Sequence, residues 1–298
     1  INQCLLDAFD DVALDDWRPA SGIDLFSTRE RARHYAAVES CLSLHYMEKA
    51  DWNRNAELYV EGFEKLGLEW APLRRGQSNC GTGNDCIVCL GGCPRKTKQS
   101  MLETFLPQAE NNGLKILSEF EVAEVVHGQQ FVTVQGRHKG NPHSLYARKV
   151  ILAAGALGTT QLLLKAGLQQ RLPALGQHFH CHPQWMTVGF FDEPVDSHKG
   201  AFQSVKSPDP RFRQWGFKLE NVFAGPIAMS LLKPGYGFEH QRYMQRYRNM
   251  ACIEVAVRDQ DAGTLRLSNK GRLVIDKPLS DADRQRANRG NQIVHDIF

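Results

Sequence analysis

Lys149-Val-Ile-Leu-Ala-Ala-Gly-Ala-Leu-Gly-Thr-Thr-Gln-Leu-Leu-Leu-Lys-Ala-Gly167 is the stretch that decides the fold. It opens with a run that stays apolar through Ala154, turns at Gly155, and continues as a helical pattern closed by Gly167. A strand apolar at every position is buried on both faces, which predicts a parallel strand over 149–154 covered by helices. In doubly wound α/β folds a ligand sits beyond the carboxyl ends of such strands. Ala153, Ala154, Gly155 and Ala156 are small enough there to let a flat cofactor approach the backbone. The competing reading is close helix–strand packing with no ligand.

Upstream, Lys115–Leu117, Glu121–Val126, Phe131–Gln135 and Leu145–Arg148 read as short strands, with His127-Gly128 and Gly140-Asn141-Pro142 as turns. These predict a small meander feeding the buried strand. Further back, Asn53–Leu66 reads as a helix with Ala56, Tyr59, Phe63 and Leu66 on one side and Gly67 as its stop. Ser27–Glu30 and Ser100–Glu103 look like capping boxes, the first opening a helix to about Lys49 and the second a helix that Asn111–Gly113 ends. Downstream of Pro183 the texture becomes antiparallel. Trp185–Phe191, Gln203–Val205, Trp215–Val222 and Met250–Arg258 predict strands, Thr264–Leu267 and Arg272–Ile275 a hairpin, and Ser280–Asp283 the cap of a last helix. Residues 185–275 are expected to form a separate antiparallel sheet whose inner face lines an apolar pocket, on the strength of its aromatic texture (Trp185, Phe190, Phe217 and Phe223).

Of the 298 residues, 42% are hydrophobic and 23% charged, with a formal net charge of +3. That is a globular composition with a sizeable core, and the charge is too small to argue for nucleic acid. No apolar run reaches the length of a membrane span. Four of the eight cysteines crowd into Cys80–Cys93 rather than stapling the chain, which points to a reducing, cytoplasmic setting.

Gly155-Ala-Leu-Gly-Thr-Thr-Gln-Leu-Leu-Leu-Lys-Ala-Gly-Leu168 closely resembles the second signature of the glucose–methanol–choline oxidoreductases. Thr160, Ala166 and Gln169 depart from its usual residues. Gly92-Cys-Pro, Lys98-Gln-Ser, Leu106-Pro-Gln-Ala109, Leu175-Gly176 and His182-Pro183 follow the same family's order of landmarks. Glu220-Asn221, Ala224-Gly-Pro226 and Val257-Arg258-Asp259 resemble its long-chain alcohol oxidase group.

The resemblance implies a mixed α/β and α+β chain, with part of an FAD-binding Rossmann-like domain and an antiparallel substrate domain. It divides the sequence into a helical and cysteine-rich segment (1–99), FAD-domain elements (100–184), the substrate sheet (185–275) and a return to the FAD domain (276–298). It implies FAD as cofactor, a hydrophobic alcohol as substrate and an electron acceptor of unknown identity, and it leaves room for peripheral membrane association. The Val122 backbone would lie along the adenine, and Ala153–Ala156 along the flavin site.

The GxGxxG fingerprint of dinucleotide binding is absent; Gly81-Thr-Gly83-Asn-Asp-Cys86 breaks the pattern and follows no strand. By the resemblance the fingerprint precedes Ile1 and the catalytic histidine follows Phe298. The expectation is therefore an internal fragment that by itself neither oxidises alcohols nor holds FAD tightly.

Two constellations offer other chemistry. Cys80, Cys86, Cys89 and Cys93 echo a ferredoxin-like spacing, so an iron–sulfur or zinc electron-transfer subunit stands as the alternative, as does an inactive remnant. His178, His180 and His182 alternate and would share one side of a strand, a metal-like arrangement.

Overall fold

The computed structural model describes residues 6, 14, 17–19, 21–23, 28–78, 92–201 and 203–298. Contacts divide the chain into two compact units, each built from separate stretches. The first takes residues 1–113, 184–257 and 286–298; the second takes 114–183 and 258–285.

The first unit is organised by a five-stranded antiparallel sheet. Its order is β2 (Ala71–Pro72), β8 (Val205–Lys206), β9 (Phe217–Asn221), β10 (Met250–Val257) and β7 (Gln184–Phe190). All eight residues of β10 are buried, as suits a strand paired on both edges. Side chains alternate across a strand, so Ile253, Val255 and Val257 share one face and Met250, Cys252 and Glu254 the other. The first face is covered by α2 (Arg54–Lys65) and α8 (Asp281–Ile297), which bring Ala56, Tyr59, Phe63, Ala287 and Val294 into the larger core. Over the second face lie α6 (Pro226–Leu232) and α7 (Phe238–Gln245), with Met229 packed among Val222, Phe223, Met250 and Cys252.

The predicted helix at 53–66 is α2. Asn53 caps it by accepting from Ala56 N at 3.0 Å, and Gly67 supplies the left-handed φ of +61° that stops it. Asn55, on the same helix, is fully buried and reaches the sheet. Its side chain donates to Val222 O and Cys252 O (3.3 and 3.1 Å) and accepts from Cys252 N (3.0 Å).

Close packing of α8 on β10 depends on Gly290. A Cβ there would fall 2.3 Å from Val255 Cγ1. Gly290→Ala is expected to lower stability by about 1–3 kcal/mol, because the clash outweighs the helix propensity gained. A thermal melt unchanged from the parent would contradict this packing.

Several boundaries differ from the sequence reading. The helix α1 runs only from Thr28 to Glu39, after which β1 (Leu44–Tyr46) pairs with β3 (Arg74–Gly76); its predicted cap Ser27 lies outside the described residues. The helix α3 starts at Phe105 rather than Ser100, whose carbonyl instead accepts from Thr104 Oγ1 at 2.8 Å. Residues 115–117 form no strand. A short helix, α5 (Pro210–Trp215), precedes β9, capped by Asp209 accepting from Arg211 N at 2.9 Å.

In the second unit the meander forms as β4 (Phe120–His127), β5 (Val132–His138) and β6 (Asn141–Ala147). Lys139 and Gly140 make the β5–β6 turn, both at positive φ (50° and 80°), which matches the right-handed twist of a hairpin. After β6, α4 (Gly155–Lys165) packs against β4 and β11 (Thr264–Leu267), and β11 pairs with β12 (Leu273–Asp276). That hairpin therefore belongs with 114–183 rather than with the 185–275 sheet.

The buried parallel strand at 149–154 does not form. Residues 149–153 join no ladder, and Ile151 is 92% exposed. A parallel strand is stable only between hydrogen-bonded neighbours. The sheet of this unit is antiparallel, and no described residue pairs with this run.

Candidate functional site

The residues expected to meet a flavin cluster at the start of α4. Gly155 takes a φ of +73°, with no atom within 4 Å of where a Cβ would stand. Ala153, Ala154, Gly155 and Ala156 are all exposed. Ala154, at the cap position, offers no side-chain acceptor to the first-turn N–H groups of the helix. Its own N–H donates to Thr159 Oγ1 at 3.1 Å. Open space, small side chains and uncapped helix donors suit an electron-rich ring edge or an anion. Val122 lies half-buried on β4, the strand against which α4 packs, next to a register shift that leaves Ala123 unpaired. Val122 and the α4 residues are thus parts of one compact unit.

The alternating histidines of the same unit do something different from what their spacing suggests. His180 Nδ1 is bonded to the Asp259 carboxylate, which also accepts from Cys181 N at 2.7 Å and from Lys277 Nζ at 3.3 Å. The Asp259 side chain is fully buried, and burial pushes its pKa up. The bonds from His180, Cys181 and Lys277 outweigh that and hold it below the ordinary range. His178, at a φ of +56°, breaks the strand that would have aligned the three rings. Among the described residues no three His, Cys, Asp or Glu side chains converge as a metal would need.

Of the cysteine loop, Cys80, Cys86 and Cys89 lie outside the described residues. Cys93 Sγ sits 3.2 Å from Thr97 Oγ1. Burial raises its pKa, but bonds from Thr97, Lys98 and Arg95 bring it below the ordinary thiol value.

The aromatic pocket expected from four rings is not formed by them together. Trp185 and Phe217 pack in the core beneath α2 and α8, Phe223 in the core beneath α6 and α7. Phe190 alone reaches the surface, edge-on to Tyr243 at 5.5 Å and under Arg246 at 4.6 Å. Trp185 and Phe190 stand five apart on β7 and so lie on opposite faces of the sheet, while Phe223 lies just beyond the end of β9.

What the sequence did not reveal is a buried polar layer in the first unit. Arg75, fully buried, donates to Gln77 Oε1 at 2.7 Å and to Gln203 O. Gln203, itself 2% exposed, donates from Nε2 to Glu220 Oε2 at 2.9 Å. Glu220 is also paired with Lys218 and stands directly across the ladder from Glu254. Burial, with the neighbouring Glu220 charge, pushes Glu254 up to about 7, and Lys218 offsets part of this. Gln203 Oε1 is buried with no hydrogen-bond partner. The sequence signal was available: Glu254 is the one charge inside the apolar run Met250–Val257.

Residues 8–184 match the family model described as GMC oxidoreductase. An uncharacterized GMC-type oxidoreductase of Mycobacterium tuberculosis is 30% identical over 261 residues, covering 87% of this chain and 40% of its own length. One from Sinorhizobium fredii is 29% identical over 67% of this chain and 39% of its own. A long-chain-alcohol oxidase of Arabidopsis thaliana is 24% identical over 90% of this chain and 38% of its own. The chain spans about 40% of the length of the relatives it matches. No helix among the described residues is long and apolar enough to cross a membrane. With a family model covering more than half of it, the chain belongs to the GMC oxidoreductases.

Proposed function

We propose that this chain is part of an FAD-dependent enzyme that oxidises an alcohol carbon, with a hydrophobic, long-chain alcohol as substrate. The observation that carries the reading is the open start of α4, where Gly155 has free space on its Cα and Ala153–Ala156 lie bare. The names of the plant relatives support the substrate class. When bound, FAD supplies the hydride acceptor. The chain's own part is to receive a flat ring on the Ala153–Ala156 backbone, to donate from the first turn of α4, and to border the adenine with Val122.

The test compares residues 1–298 with the longest reading frame containing them, each purified with added FAD. The longer protein is expected to hold FAD and to reduce a dye when given a long-chain alcohol. In it, Ala154→Leu should weaken FAD retention about tenfold or more, since a branched side chain fills the space the ring needs. Equal retention by Ala154→Leu, or a longer protein that binds no FAD, would end this reading.

A further inference from the structure

We infer that Gln203 and Glu254 bind the hydroxyl of an aliphatic alcohol whose hydrocarbon lies along Met186, Val188 and Phe190 of β7. This rests on the proposal that the enzyme acts on such alcohols and names the residues that recognise them.

Three features of the first unit point to that ligand. Gln203 carries a buried amide oxygen without a donor, while its nitrogen is committed to Glu220. Burying such an oxygen unpaired costs about 1–3 kcal/mol, so a hydroxyl that donates to it recovers part of that cost. Glu220, paired with Lys218 and Gln203, lies directly across the ladder from Glu254. Burial, and after it the Glu220 carboxylate alongside, favours the protonated form of Glu254, which can donate. One hydroxyl group can then accept from Glu254 and donate to Gln203. An anion cannot do this, because Glu220 repels it.

The apolar part follows from register. Met186 faces Glu254 directly across the β7–β10 ladder, and Val188 and Phe190 succeed it on the same face. None of the three is fully buried, whereas Met250 and Cys252 beside them are covered. From Met186 to Phe190 a strand advances roughly 13 Å, the reach of a medium-length alkyl chain. A molecule polar at one end and aliphatic along its length matches this order of residues.

The experiment uses the 298-residue protein and measures binding of octanol and of octanoate by calorimetry. Octanol is expected to bind at least about tenfold more tightly than octanoate. Glu254→Leu and Gln203→Leu should each weaken octanol about tenfold. Glu254→Gln keeps a donor and the same shape, so it should bind octanol within about twofold of the parent; it also decides the matter if the leucine variant does not fold. No octanol binding, equal binding of octanoate, or an unaffected Glu254→Leu would overturn the inference. The two proposals fail separately. Octanol binding in an enzyme that never reduces flavin leaves this site standing, while turnover indifferent to both leucine variants removes it alone.

Discussion

Asn55→Ala is expected to lower the free energy of unfolding by about 3 kcal/mol or more. Asn55 sits in the second position of α2, fully buried, with three bonds to the backbone where β9 and β10 part. Cys252 N–H has its acceptor in the Asn55 side chain. Alanine would leave that donor dry and unpaired, along with part of the need of Val222 O. Alanine's better helix propensity returns only about half a kcal/mol. Urea denaturation of parent and variant measures the difference. The exposed neighbour change Glu57→Ala should move stability by less than about 0.5 kcal/mol. If Asn55→Ala moved it no more than that, the clamp between helix and sheet would have no energetic weight.

Glu254→Gln should change the pH dependence of stability in a defined direction. The folded carboxyl titrates at about 7 against an ordinary value of 4.5. A raised pKa means that the folded chain keeps a proton which the unfolded chain gives up. The stabilisation is therefore complete below about 4.5 and lost as pH rises to about 7. Roughly 3 kcal/mol is involved, because Glu254 is nearly dry and little solvent screens it. Glutamine does not titrate, so the variant's advantage over the parent should grow by about that amount between pH 5 and pH 8. Glu220 and Lys218, the charged groups facing Glu254, remain in both proteins and largely cancel in the comparison. A constant difference between the two proteins across that range would mean that Glu254 is ionised throughout.

Much of the local structure was legible. The helix at 53–66 announced itself through Asn53, the spacing of Ala56, Tyr59 and Phe63, and the stop at Gly67, although Leu66 ends up on the surface. The meander was legible because alternation and turn residues are short-range signals. Asp209-Pro210 is a helix-start signal, but a six-residue helix carries too little periodicity to stand out. The apolar run at 150–154 misled for a physical reason: composition states what a segment would like to bury against, not whether that partner is at hand. Ala153–Ala156 could be nominated together because they are contiguous, and they stand exposed at the start of α4. Gln203, Glu220 and Glu254 were not, because only the register of β8, β9 and β10 brings such distant positions together.

The way the two units interleave along the chain has a consequence for how the protein is made. The β4–β6 sheet spans Phe120–Ala147 without interruption, so it can close as soon as it leaves the ribosome. The other sheet cannot: β2 must wait for β8, some 130 residues later, and β10 is buried only once Ala287 and Val294 of α8 arrive. During that interval Tyr59 and Phe63 of α2 have emerged without the strands that cover them. Stalls in translation between Pro72 and Ala287 should therefore recruit chaperones, including those after Ala147, when the β4–β6 piece is already finished but Tyr59 and Phe63 are still uncovered.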